Sequence, residues 1–369
     1  MTMERRPVPT RSRQDVERIL CRIWSRLLAV EVGPEDDFFE LGGYSLLVVR
    51  VVSEARQAGV PLAADDVFEH PTVAGLARRF VLGAGATGPA VDGSQAPSVA
   101  DLLHQAVDPW DPAAPSTVLE LVAGDPRLSP LFLVSTGAGN IGYFGPIAAR
   151  LNAGRPVYGF ELPGYRGRVR PLLSVVELAE HHLTRLRRIQ PAGPYLLGGF
   201  CSGALVALEM AHRLRAAGEE VRELFLVDTP SYTPPLVDPG WGLADLYRYR
   251  LATVGERFGL DVTGPGADLE AAMERMRAEP WCEPEHTAAD FHRLHLLWAA
   301  GLFAQDHYRP RRYEGPAVLF QKTCYTEQTR DYLGPLLPGA EVRWFDTFPT
   351  MEVLRDPGLA EVIGERLAR

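Results

Sequence analysis

The chain has 369 residues, 46% apolar and 23% charged, with a formal net charge of −9, the proportions of a globular protein long enough for two or three domains. The acidic balance and the lack of any Lys/Arg cluster speak against a nucleic-acid partner, and no apolar run approaches a membrane span. Four widely spaced cysteines, Cys21, Cys201, Cys282 and Cys324, suggest neither a disulfide framework nor a zinc site, and the opening MTMERRPVPTRSR lacks the apolar core of a secretion signal, so a cytoplasmic location is expected.

In chain order, Val16, Ile19, Leu20, Ile23, Trp24 and Leu27 recur at helical spacing within residues 13–30, predicting an amphipathic helix. A loop, EVGPEDDFFELGGYS, leads into a second helical stretch, LLVVRVVSEARQAG, and a third stripe, TVAGLARRFV, follows Pro71. This is a small helical bundle near the lower size limit for independent folding. Ser45 begins a helix after a double glycine, a place that suits an attached phosphodiester because free backbone N–H groups gather there. The run Asp37-Phe38-Phe39-Glu40-Leu41-Gly42-Gly43-Tyr44-Ser45-Leu46 resembles the attachment motif of acyl and peptidyl carrier domains in nonribosomal peptide and polyketide synthetases. The resemblance implies a peptidyl carrier domain over 12–82, a four-helix bundle with covalent 4′-phosphopantetheine on Ser45, attached by a phosphopantetheinyl transferase.

Residues 83–117 are rich in Gly, Ala and Pro and read as a flexible linker with a short helix at Leu102–Ala106. Such a tether suits a carrier that must visit a neighbouring site, because it sets a high effective concentration. From Val118 onward apolar runs alternate with helical stretches. LFLV (131–134), PVYGF (156–160), YLLGGF (195–200), ELFLVD (223–228), AVLFQ (317–321) and EVRWF (341–345) are expected strands. The alternation predicts an α/β domain over 118–369, with a mostly parallel sheet covered by helices on both faces. Residues 230 to about 290 interrupt the rhythm where they would overlie the strand C-termini, and are expected to form a lid.

The chemistry centres on Gly199-Phe200-Cys201-Ser202-Gly203, a G-x-S-x-G nucleophile elbow with cysteine in the serine's place. At a helix N-terminus a cysteine is expected to favour its thiolate. Asp228, ending the next strand, would emerge at the same sheet edge as the acid. The oxyanion donors would be the N–H of Ser202 and one from Ser135-Thr136-Gly137-Ala138-Gly139.

The domain resembles the terminal type I thioesterases of peptide synthetases, with an α/β-hydrolase fold. Alignment with that family puts the acid at Asp228 and the second oxyanion donor at Gly137. It implies work on a peptidyl thioester delivered by upstream modules of the same synthetase and docked by the chain's own carrier domain. Two departures matter. Cysteine replaces serine, and the family's late histidine is missing: Thr350 stands in its place, and no histidine follows His307. Cysteine needs a base less than serine does. Transfer from pantetheine sulfur to Cys201 sulfur exchanges thioester for thioester and keeps the acyl group activated. Cysteine here resembles the thioesterases that close four-membered rings, and with the missing histidine is most similar to the carrier–thioesterase pair of monobactam-forming synthetases, which implies β-lactam formation. Hydrolytic release, other ring closures, and an inactive docking domain remain alternatives. A histidine from the lid side is expected to serve as base. His295 is preferred, on the stripe Phe291, Trp298, Leu302, over His292, His286 and His307.

Overall fold

The computed structural model describes residues 12–28, 30–41, 48, 51–52, 54–56, 58–60, 62, 66–67, 70–82, 95–106, 117–151, 154–231, 240–278, 282–345, 353–354 and 356–368. Ser45, Thr350, residues 232–239 of the expected lid and most of the linker lie outside these. Two compact units emerge, Met1–Ala90 with Gly255–Gly259, and Val91–Val254 with Leu260–Arg369.

In the first unit, helix α1 (Arg13–Leu28) buries Val16, Leu20, Ile23, Trp24 and Leu28, the stripe its sequence spacing lays along one face. Helix α2 (Val73–Leu82) buries Val73, Leu76 and Ala77 in the same core, together with Val48, Val51, Val52 and Ala55. Phe38 enters this core, its ring centroid 4.8 Å from that of Trp24. Its backbone is tied down as well. Phe38 N–H donates to Pro71 O at 2.7 Å, and the Asp37 carboxylate accepts the N–H groups of Phe39 (2.8 Å) and Glu40 (3.2 Å). The approach to the expected attachment motif is thereby fixed to the bundle.

The second unit opens with helix α3 (Val99–Gln105), placed by the expected linker reading slightly later. Ser98 and Asp101 form a reciprocal capping box that starts it at Val99. A seven-stranded sheet follows: β1 (Val118–Val122), β2 (Leu131–Val134), β3 (Val157–Phe160), β4 (Tyr195–Phe200), β5 (Val221–Val227), β6 (Val318–Lys322) and β7 (Glu341–Phe345). Their order is β1-β3-β2-β4-β5-β6-β7, with β1 antiparallel to β3 and the other pairs parallel. β1 was not expected: it is an edge strand with half-buried residues and an exposed Glu120, so its apolar signal is diluted.

The central strands β2, β4 and β6 are buried throughout, which is why they read as unbroken apolar runs. Alternate residues serve opposite faces. Phe132, Val134, Leu197, Leu224, Leu226 and Leu319 meet helices α4 (Val175–Ile189) and α5 (Ser202–Ala216). Leu133, Leu196, Phe200, Phe225, Val227 and Phe320 pack with Leu359, Ile363 and Leu367 of the last helix, Pro357–Ala368. Between β5 and β6 lie α6 (Leu243–Phe258) and α7 (Leu269–Met276), then α8 (Phe291–Asp306), which is apolar almost all round and correspondingly buried.

Candidate active site

Three parallel neighbours carry the site at one edge. Phe200 of β4 is in register with Val227 of β5, and Val227 with Phe320 of β6. The ladder continues one residue further: Cys201 N–H donates to Val227 O at 2.9 Å, and Asp228 N–H to Phe320 O at 2.8 Å. Cys201, Asp228 and Lys322, the last residue of β6, therefore end three adjacent strands side by side.

Cys201 has φ 54 and ψ −126, and helix α5 begins at the next residue. That strained turn lifts a non-glycine side chain out of the strand-to-helix junction. Its tightness explains the flanking glycines: a Cβ on Gly199 would lie 2.3 Å from Gly203 O, and one on Gly203 would lie 2.1 Å from Ser135 O. Asp228 also has positive φ, 48°, which aspartate tolerates better than most residues.

The loop expected to supply an oxyanion donor follows β2. A Cβ added to Gly137 would stand 3.0 Å from Ser202 Oγ, so the loop crosses directly over the start of α5. Helix α8 packs on the same loop through Gly301, whose Cβ position lies 3.1 Å from Gly137 O. The two expected donor segments are thus together.

Burial and the carboxylate of Asp228 push the Cys201 thiol up to about 12, with the Ser202 N–H and Lys322 pulling the other way. The sequence-based expectation of a favoured thiolate is corrected here. The helix terminus contributes in the expected direction, but desolvation and a buried anion outweigh it. Asp228, only 8% exposed, is itself raised by burial and lowered by Lys322. The Lys322 ammonium lies 3.8 Å from Asp228 Oδ2, and the side chain is 3% exposed.

His295 has a different neighbourhood. Its Nδ1 accepts a hydrogen bond from Arg250 Nε on α6 at 3.2 Å, and Phe291 meets its ring edge-on at 4.5 Å between centroids. Burial, then Arg250 and His292, hold it far below the usual imidazole range, so the ring is neutral. A guanidinium can only donate, so Nδ1 is the lone-pair nitrogen and Nε2 carries the proton. In this arrangement the imidazole offers a donor rather than a base. Six residues separate His295 from Gly301, a rotation of about 120° at 100° per residue, so His295 meets Arg250 of α6 while Gly301 packs on the Gly137 loop. His292 bonds Tyr247 OH through Nδ1 at 2.9 Å, and His286 Nδ1 accepts the N–H of Glu283 at 3.2 Å. His307 lies at the far end of α8 with its ring on Phe303. Among the described residues, the cation paired with Asp228 is Lys322. Sequence reading missed it, although a signal existed: the 38 basic residues are 37 arginines and this one lysine.

A parallel sheet with a strained elbow after its central strand, an acid after the next, and a glycine loop against the elbow defines an α/β-hydrolase domain. Comparison with known proteins specifies its kind: residues 129–239 match the thioesterase domain family, and residues 18–80 match the phosphopantetheine attachment site family. The chain therefore carries a phosphopantetheine-attachment domain followed by a thioesterase domain. It is 36% identical over 218 residues to malpinin synthetase of Mortierella alpina, and 28% identical over 320 residues to a dimodular nonribosomal peptide synthase of Bacillus subtilis. These alignments take in 58% and 84% of this chain but only 2% and 12% of the relatives' lengths. A holo four-domain nonribosomal peptide synthetase crystallised with AMP and glycine shares the fold, with a TM-score of 0.55 and 22% identity across 99% of this chain and 27% of that one. A carrier domain of this family bears 4′-phosphopantetheine on a serine, and the anchored Asp37–Glu40 turn described above fits a motif that must hold such a serine at a helix start.

Proposed function

We propose that Ser45 carries the phosphopantetheine arm and that the second domain releases the chain's thioester-bound acyl group through an acyl-enzyme on Cys201. The carrying observation is the elbow itself: a cysteine in a strained, positive-φ turn between β4 and α5, with Gly137 packed against Ser202. The prosthetic group, when bound, supplies the acyl thioester. Cys201 Sγ forms the new S–C bond, the old S–C bond breaks, and the thiol proton ends on the departing sulfur, so no net proton is consumed. The N–H groups of Gly137 and Ser202 would hold the developing oxyanion.

The second step we propose is ring closure. A nitrogen of the acyl chain attacks the Cys201 thioester, the C–N bond forms, and the nitrogen's proton returns to the sulfur. Because burial and Asp228 make the sulfur a strong proton acceptor, it restores its own resting state. Retained thioester activation suits a strained product, and we read that product as a β-lactam of the monobactam type, as in synthetases of the sulfazecin kind. The test is product analysis by mass spectrometry with a defined peptide loaded on the full chain. A product lighter than the free acid by one water supports cyclisation; free acid alone rejects it in favour of hydrolysis.

Loading is checked separately. Incubation with coenzyme A and a broad-specificity transferase should add one phosphopantetheine, roughly 340 Da by the formula of the group, and Ser45→Ala should abolish the addition. An unchanged wild-type mass, or an addition that persists in the variant, sinks the assignment of Ser45.

His295 enters this proposal as a lid-side group. To take a proton at Nδ1 it would have to lose Arg250, so His295→Ala is expected to slow release by much less than the ~100-fold that loss of a general base costs at minimum. A drop of that size or more, with loading at Ser45 intact, would reinstate His295 as the base.

A further inference from the structure

The half-buried Cys201 beside the buried Asp228 poses an electrostatic problem. An anion beside a sulfur that must become nucleophilic opposes the ionisation that activates it, and a histidine between them would relieve this by carrying positive charge when needed. At the corresponding edge this chain has instead the terminal residue of β6. Lys322 follows Phe320 by two residues, so it shares that residue's face of the sheet, the face whose core includes Phe200, Val227 and Cys201. Asp228 is tied by its N–H to Phe320 O, and the ammonium reaches its carboxylate at 3.8 Å. The centroid of the Tyr325 ring lies 5.3 Å from the ammonium. Both charged residues are over nine-tenths buried, so their field is little screened by solvent.

The residue type adds a second observation. At every other basic position the chain uses arginine, 37 times, and uses lysine once, here. A guanidinium is planar and wide, whereas an ammonium is a compact point charge on a flexible stem. The one position that departs from the chain's habit is the one whose cation lies near both the Asp228 carboxylate and the Tyr325 ring.

We infer that Lys322 is the positioning cation of this site: its ammonium keeps Asp228 ionised and in place, and offsets that carboxylate's repulsion of a thiolate at Cys201. It takes over by fixed charge part of what a histidine between acid and nucleophile does by proton transfer. This rests on the reading of Cys201 as the nucleophile, and deepens it. The charged and titratable groups acting on Cys201 are Asp228 from the end of β5 and Lys322 from the end of β6, with the Ser202 N–H at the start of α5. Its role is one of positioning and charge, and it pulls Cys201 in the same direction as the Ser202 N–H.

Thiol alkylation tests the inference without an acyl substrate, so its outcome is independent of whether release is cyclising or hydrolytic. The full chain is treated with iodoacetamide between pH 7 and pH 11, and modification of the Cys201 peptide is followed by mass spectrometry, with Cys282 as internal reference. In wild type the rate should climb about tenfold per pH unit, as expected below a thiol's pKa. Lys322→Met should slow Cys201 at pH 9 by roughly tenfold or more, equivalent to a pKa raised by about one unit, and leave Cys282 unchanged. Lys322→Arg keeps the charge but not the compact fit, so it should recover only part of the loss, where a purely steric role predicts no recovery. Asp228→Asn should have the opposite effect and speed Cys201, because Lys322 is then unopposed. Superimposable profiles for wild type and a folded Lys322→Met, or faster alkylation in that variant, overturn the inference. If Lys322→Met does not fold, Asp228→Asn decides: an unaltered Cys201 rate there shows that the sulfur does not sense this charge pair, and overturns it equally.

Discussion

Cys201→Ala is expected to leave the acyl chain stalled on the carrier arm, with release slowed on the order of 10⁴-fold or more, the scale on which loss of a covalent nucleophile is felt. The loss is large because the acyl-enzyme splits one difficult displacement into two easier ones, and because the oxyanion donors can assist only an attack that still occurs. Cys201→Ser is the more informative variant. A serine hydroxyl is scarcely ionised and depends on a base. Here the group paired with Asp228 is a lysine ammonium, a donor with no lone pair to take a hydroxyl's proton. The serine variant should therefore lose at least ~100-fold, the least that general-base assistance contributes. Intact-mass detection of acyl groups on the carrier and on residue 201, with product quantified in parallel, separates the two steps. Full activity of the serine variant would refute this account of why the sulfur is used.

The parts of this site written in local chemistry were legible. The elbow needs glycines at fixed offsets around its central residue, and Gly199 and Gly203 stand where a Cβ would enter backbone atoms. Asp228 could be placed because β5 directly follows α5, and parallel strands deliver their C-terminal residues to one edge. Strands β2, β4 and β7 coincide with the apolar runs expected for them, whereas β1, half-exposed at the sheet edge, did not stand out.

What escaped depended on contacts between distant segments. Helix α8 buries residues on nearly every side, so no polar stripe marks its inner face, and the facing of His295 could not be settled by periodicity. Its partner Arg250 is 45 residues away in sequence. The direction of the Cys201 shift was misjudged for a related reason. The helix terminus is visible in a sequence, but the desolvation and the buried carboxylate that oppose it belong to the assembled edge. Lys322 lay in plain view as the single lysine, yet its meaning required knowing that β6 ends beside β5.

Gly203→Ala should be the most damaging conservative change in the hydrolase unit. The added methyl would sit 2.1 Å from Ser135 O and 2.6 Å from Val134 O. Both are backbone atoms, held by a strand whose neighbours are fully paired, so no side-chain rotamer can relieve the overlap. Overpacking that side chains can accommodate costs about 1–3 kcal/mol; with only backbone available to move, at least ~3 kcal/mol is expected, in the range reserved for severe substitutions. For a unit of this size that lowers the melting temperature by roughly 6–12 °C. The two segments forced apart are the first turn of α5, which carries Cys201 and Ser202, and the entry to the Thr136–Gly137 loop, so acylation of Cys201 should fail even in the surviving folded fraction. Gly364→Ala provides the contrast. That glycine lies inside the last helix with nothing within 4 Å of its Cβ position, and alanine there should stabilise by about 0.5–1 kcal/mol through helix propensity. Thermal unfolding of the two variants beside wild type checks both signs at once, and a Gly203→Ala protein that melts with wild type and still acylates Cys201 would mean that the close approach of α5 to β2 is not what shapes the elbow.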